Sequence, residues 1–139
     1  MTENRKVVVT GLGVVSPVGS DIKTAWDNLV NGYNGIGPIT YFDTSNYKAK
    51  LGAQVKGFTA EDYMDHVETL RNDLYTQYAI GAAQQAVDES GIIGTLPAER
   101  ISVYFGSGIG GLGTTSAEVE KLNTKGPRRV SSLCFMYYF

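Results

Sequence analysis

Residues 6–19 read KVVVTGLGVVSPVG, a β-branched run that drives straight into a glycine-punctuated loop. Val7, Val8 and Val9 lack the polar alternation of a half-exposed strand, which is how a strand covered on both faces by helices reads. The segment therefore predicts a parallel sheet of the α/β class. Residues 101–113, ISVYFGSGIGGLG, repeat the design. Two buried strands that each deliver a small-residue loop to the same sheet edge are how an α/β domain builds a site.

Between these segments the pattern is mostly helical. Ser20 or Asp21 caps a helix whose apolar positions Ile22, Trp26, Leu29 and Val30 follow helical spacing, and Gly32 suits its exit. Residues 35–52 form a long irregular connection with Ile36, Ile39 and Phe42 as buried positions, and loops of this length usually cover or bind something. Residues 53–58, AQVKGF, alternate weakly as a short edge strand, and a brief helix follows from Thr59 or Ala60 to His66. The clearest helix spans residues 73–90, where Leu74, Tyr75, Tyr78, Ala79, Ala82, Ala83, Ala86 and Val87 form an apolar stripe. Half of that stripe is alanine, so the helix can lie very close to its neighbour, and Gly91 ends it. A third helix opens at a T-x-x-E capping box, Thr115 with Glu118, and stops at Gly126 and Pro127.

Composition narrows the function classes. With 139 residues, 42% of them hydrophobic, the chain is globular and forms one domain or part of one. A net charge of −2 from 12 basic and 14 acidic residues suggests no nucleic-acid partner. Seventeen glycines against four prolines, concentrated in loops, point to close backbone approach rather than a linker. A lone cysteine, Cys134, forms no internal disulfide, which favours a reducing compartment. No apolar run approaches the roughly 20 residues that span a bilayer, so a cytoplasmic protein without a membrane partner is expected.

Gly11, Gly13 and Ser16 give G-x-G-x-x-S after a strand, one step from the dinucleotide fingerprint. The acid required at the end of the next strand is missing, and Pro17 and Gly19 separate the glycines from the helix, so a nucleotide-binding domain is the weaker reading. Around Gly106, Gly108, Gly110 and Gly111 a plain tight turn is the bland alternative. Ile109, set among those four glycines, is poorly placed to fold into its own core and is expected to face a cavity or another chain. His66 is the only histidine and sits in the polar stretch MDHVET as a solvated side chain. Cys134 lies in an apolar run without a glycine turn, capped helix start or nearby histidine, which fits an inert thiol better than a nucleophile. Neither a carboxylate pair nor metal-ligand spacing stands out, so no metal and no cofactor are expected.

Taken jointly, VVVTGLGVVSPVG, WDNLVNG, GIGPITYFDTS, Gln77-Tyr78, GSGIGGLG and GPRRVS resemble the N-terminal third of a β-ketoacyl-acyl carrier protein synthase of the type II class, in unbroken order over residues 5 to about 131. The resemblance implies an incomplete, N-terminal part of a thiolase-like α-β-α-β-α layered fold and a homodimer. It also implies decarboxylative Claisen condensation, extending an acyl chain by two carbons from malonyl-acyl carrier protein. In that family a cysteine carries the acyl chain while two histidines assist decarboxylation and hold the oxyanion. By the same resemblance Ile109 lines the acyl pocket near its gate, with Gly108 and Gly110 as flanking substrate-binding positions.

Two departures shape the expectations. None of the three catalytic residues has a counterpart, so no catalytic residue is assigned, and residues 1–131 read as a truncated synthase domain followed by an aberrant tail, 132–139. Residues 64–74, MDHVETLRNDL, keep only Glu68, Arg71 and Asp73 of the family's basic docking pattern, leaving Arg71 as a weakened contact for the acyl carrier protein. A condensing enzyme inactive as this chain alone is the leading reading. A non-catalytic partner subunit and a nucleotide-binding α/β domain are the alternatives.

Overall fold

Asp21 opens the first helix. In the computed structural model, which describes residues 6–131, its carboxylate accepts a hydrogen bond from the Thr24 backbone N–H at 2.9 Å. The helix α1 then runs Ile22–Val30 to an Asn31 cap. Of the two predicted caps Asp21 is the one used, but the apolar stripe is not covered: Ala25 is buried while Trp26, Leu29 and Val30 are exposed.

The connection over residues 35–52 is closed by a two-rung antiparallel ladder between β1 (Gly37–Pro38) and β2 (Leu51–Gly52). Residues 53–58 do not form the expected edge strand. Pro38 has no N–H to give the ladder; the Ile39 N–H still reaches the Lys50 carbonyl at 3.0 Å, but the Thr40 N–H donates to the Gln54 side-chain oxygen at 3.0 Å. Of the three positions predicted as buried, only Ile39 is half-covered. Ile36 and Phe42 are exposed, Phe42 meeting Tyr47 edge-on at 5.6 Å between ring centroids.

The predicted brief helix divides. A 3-10 turn at Ala60–Asp62 precedes α2 (His66–Arg71), which starts where the prediction ended because the Asp65 carboxylate caps it through the Glu68 N–H at 2.9 Å. The helix α3 spans Leu74–Ser90, as its stripe predicted, and Gly91 leaves it at φ +58°, a conformation that costs glycine little. The last helix, α4 (Leu112–Lys125), begins three residues before the expected cap. Thr115 donates its hydroxyl to the Gly111 carbonyl at 3.1 Å inside the helix, and Glu118 turns toward the other end, so the T-x-x-E pattern is not a capping box here. Gly126 terminates α4 and Pro127–Arg129 form a 3-10 turn.

The described residues fall into two compact units, residues 6–59 with 81–102 and residues 60–80 with 103–131. In the first, Ala25 is buried. In the second, Ala60, Met64, Gln77 and Glu118 are. The two segments expected to be buried parallel strands are unpaired among the described residues, with Val7 91% and Tyr104 92% exposed. An extended segment becomes a strand only when a neighbour completes its ladder, and β1 with β2 is the one sheet among the described residues.

Candidate functional site

The first glycine loop is seated on α3. A Cβ on Gly13 would fall 1.8 Å from the Ala82 carbonyl oxygen, and one on Gly11 would fall 2.1 Å from that of Ala86. The alanine stripe thus performs the close approach predicted for it, with the loop itself as the neighbour. Side chains of α3 take the loop's amides: Leu12 N–H donates to the Glu89 carboxylate and Val14 N–H to Gln85 Oε1 at 3.2 Å. Gln85 Nε2 in turn donates to the Ser20 carbonyl at 2.8 Å. Ser16 and Gly19 close a turn by exchanging backbone hydrogen bonds of 2.9 and 3.1 Å. A dinucleotide site needs its glycines open to a pyrophosphate at the start of a helix. Here the glycine faces lie on Ala82 and Ala86, and α1 starts only at Ile22. The nucleotide-binding reading is corrected accordingly.

The second glycine loop is fixed at one end. Gly110, at φ +70°, donates its N–H to Ser107 Oγ at 2.9 Å, and a Cβ on it would meet the Tyr75 ring at 3.2 Å. Gly111 sits tighter still, its Cβ position lying 1.7 Å from Asp73 Oδ2, while Thr114 donates its hydroxyl to the other oxygen of that carboxylate. Gly106 and Gly108 face open space. Ile109, between the fixed and open parts, is 69% exposed. Gly108, Ile109 and Gly110 therefore form one presented loop.

The residues matching the docking pattern point different ways. Arg71 and Glu68 are exposed on α2, whereas Asp73 is partly buried against Gly111 and Thr114. His66 is exposed with Nδ1 3.4 Å from Glu61, which fits the solvated reading. Cys134 and the tail 132–139 lie outside the described residues. Among those residues, no group of three His, Cys, Asp or Glu side chains converges as a metal site.

Sequence reasoning missed the roles of five side chains. Gln77 is buried at the α3 N-terminus and donates to the Thr69 and Asn72 carbonyls at 2.9 and 2.8 Å, tying α2 to α3. Glu118 accepts from Lys121 and from the Ser131 N–H at 2.7 Å. The Lys121 hydrogen bond, then the Ser131 amide, hold its carboxyl below the ordinary value. Lys121, Lys125 and Arg129 line a cleft of about 550 Å³. The four-residue spacing of the two lysines on α4 was the available signal for that cleft.

These two glycine loops, one seated on an alanine helix and one presenting an isoleucine, sit in a chain that matches the β-ketoacyl synthase N-terminal domain over residues 4–137. The chain belongs to that family. It is 47% identical over 132 residues to 3-oxoacyl-[acyl-carrier-protein] synthase 2 of Staphylococcus aureus strain COL, covering 94% of this chain and 32% of the relative. The synthase 2 of Vibrio cholerae is 44% identical over 128 residues, covering 91% and 31%. The chain thus spans about a third of the length of the curated relatives it matches. A solved structure described as the ishigamide ketosynthase/chain length factor superposes with a TM-score of 0.72 at 26% identity, over 92% of this chain and 32% of that one. The fold is accordingly the N-terminal part of the thiolase-like α/β class. No helix among the described residues is long and apolar enough to cross a membrane.

Proposed function

We propose that this chain supplies the N-terminal, acyl-pocket portion of a 3-oxoacyl-acyl carrier protein synthase, and that the 139 residues perform no condensation by themselves. The observation that carries the reading is the family match over residues 4–137 together with 47% identity to a synthase 2. In this reading the complete enzyme, a cytoplasmic homodimer, elongates acyl chains by decarboxylative Claisen condensation with malonyl-acyl carrier protein. Ile109, with Gly108 and Gly110 on either side, contacts the acyl chain, and its exposure on a glycine loop suits that role. For the acidic carrier protein, Arg71 gives one cation. The cleft lined by Lys121, Lys125 and Arg129 offers a second cationic face, with Lys121 already paired to Glu118.

A chimera joining residues 1–131 to the remainder of the Staphylococcus aureus relative tests this. It should release carbon dioxide from malonyl-acyl carrier protein and lengthen an acyl primer, whereas the 139-residue chain should do neither. A soluble, dimeric chimera without activity, beside an active relative, would refute the assignment. A non-catalytic partner role is the second reading, favoured by the neighbour whose description pairs a ketosynthase with a chain length factor. Co-elution of the 139-residue chain with a full-length synthase would support it.

A further inference from the structure

The hold on the second glycine loop is not explained by packing alone. Asp73 Oδ1 takes the Thr114 hydroxyl, but Oδ2 is buried with no hydrogen-bond partner among the described residues. An unsatisfied buried acceptor costs stability, and a carboxylate oxygen more than most. A merely structural position would be served better by an apolar or fully paired group. What Oδ2 does is occupy the space that any side chain at position 111 would need. Two residues further on, the Tyr75 ring covers the corresponding face of Gly110. On the other side of Ile109 nothing meets Gly106 or Gly108 within 4 Å. The loop is therefore pinned immediately after Ile109 and open immediately before it.

We infer that Asp73 and Tyr75 are positioning residues for Ile109: Asp73, immediately before α3, and Tyr75, in its first turn, fix the Gly110–Gly111 post on which that side chain is presented. The inference deepens the assignment of Ile109 to the acyl pocket and rests on it. Asp73 is then set apart from Arg71, despite their shared place in the docking pattern. Its carboxylate serves the loop, while Arg71 stays at the surface.

Hydrogen–deuterium exchange of the 139-residue chain, read by mass spectrometry at dilute concentration, tests the anchor. Asp73→Ala should raise exchange of the peptide holding residues 107–113 by about tenfold, leaving residues 82–90 within about twofold, because local openings are independent of the rest of the helix. Gly111→Ala should do the same. The double variant Asp73→Ala/Gly111→Ala should recover protection, since the new methyl occupies the vacated space. Should Asp73→Ala fail to fold, Tyr75→Leu against Tyr75→Phe makes the decision, with only the leucine loosening the loop. Uniform acceleration over both peptides, or no change in residues 107–113, would overturn the inference. A photoreactive decanoyl thioester separates it from the pocket assignment. Crosslinking to the Ile109 peptide that falls in Asp73→Ala supports both. Loosening of the loop in a chain whose Ile109 peptide never crosslinks sinks the pocket assignment and upholds the anchor.

Discussion

Gly13 lies so close to Ala82 that a Cβ on the glycine would fall 1.8 Å from the alanine's carbonyl oxygen and 2.8 Å from its carbonyl carbon. The obstructing atoms are backbone of α3, fixed by helical hydrogen bonds, so a rotamer change cannot relieve the clash. Gly13→Ala should therefore destabilise the chain by about 3 kcal/mol, the upper part of the range for overpacking. Gly108→Ala, at a position open to solvent, should change stability by less than about 0.5 kcal/mol. Urea unfolding followed by circular dichroism checks the contrast, and equal midpoints for the two variants would dismiss the seat of the loop on α3.

Gln77 joins α2 to α3 through one amide nitrogen shared by the Thr69 and Asn72 carbonyls. Replacing it with leucine keeps the volume and removes the donor, stranding two acceptors at a buried site. A loss of about 1–3 kcal/mol follows. Exchange at α2 should rise along with it. A Gln77→Leu chain as stable as the parent, with α2 equally protected, would show that the tie is idle.

How far the sequence foretold this arrangement depended on the range of the force involved. Asp21, Gly91 and Gly126 act on the backbone within a turn of themselves, so the limits of α1 and α3 and the end of α4 were legible. The alanines of α3 were legible as a close-approach surface, and the glycine loop as something needing close approach. That they meet each other is a tertiary fact. Val7, Val8 and Val9 read as a covered strand because β-branched runs favour one, yet pairing depends on a second segment that no local pattern supplies. Asp73 was invisible as an anchor. Its sequence neighbours placed it in a charged stretch, and only the fold turns it toward Gly111.

Acid should weaken the chain through three carboxylates. Glu118 is lowered by the Lys121 hydrogen bond and then the Ser131 amide, Asp21 by the Thr24 backbone and side-chain hydrogen bonds, and Asp43 by the Ser45 hydroxyl and amide. A carboxyl whose folded pKa is depressed binds its proton more readily when unfolded. Its stabilisation is therefore complete above the unfolded value, near 4.5 for glutamate and 3.8 for aspartate, and fades as pH falls through the folded one. Thermal midpoints should be flat near neutrality and decline below about pH 4.5. Glu118→Gln should flatten part of that decline, and an unchanged acid limb in this variant would remove Glu118 from the account.

The wet apolar surface carries the last prediction. Val7, Val8, Val9, Val103, Tyr104 and Phe105 are all exposed, and covering a Val or Phe side chain is worth about 1.5–3 kcal/mol each. Among the described residues neither segment joins a ladder, and unpaired amides and carbonyls beside apolar side chains are the combination that recruits another chain edge to edge. At micromolar concentration the 139-residue chain should bind a hydrophobic dye strongly and sediment as associated species. Val8→Lys with Tyr104→Lys places a charge in each segment without touching a buried contact, so it should reduce both signals while leaving helix content unchanged. A parent chain that sediments as a dye-silent monomer with a sharp thermal transition would show that these two segments are covered in solution.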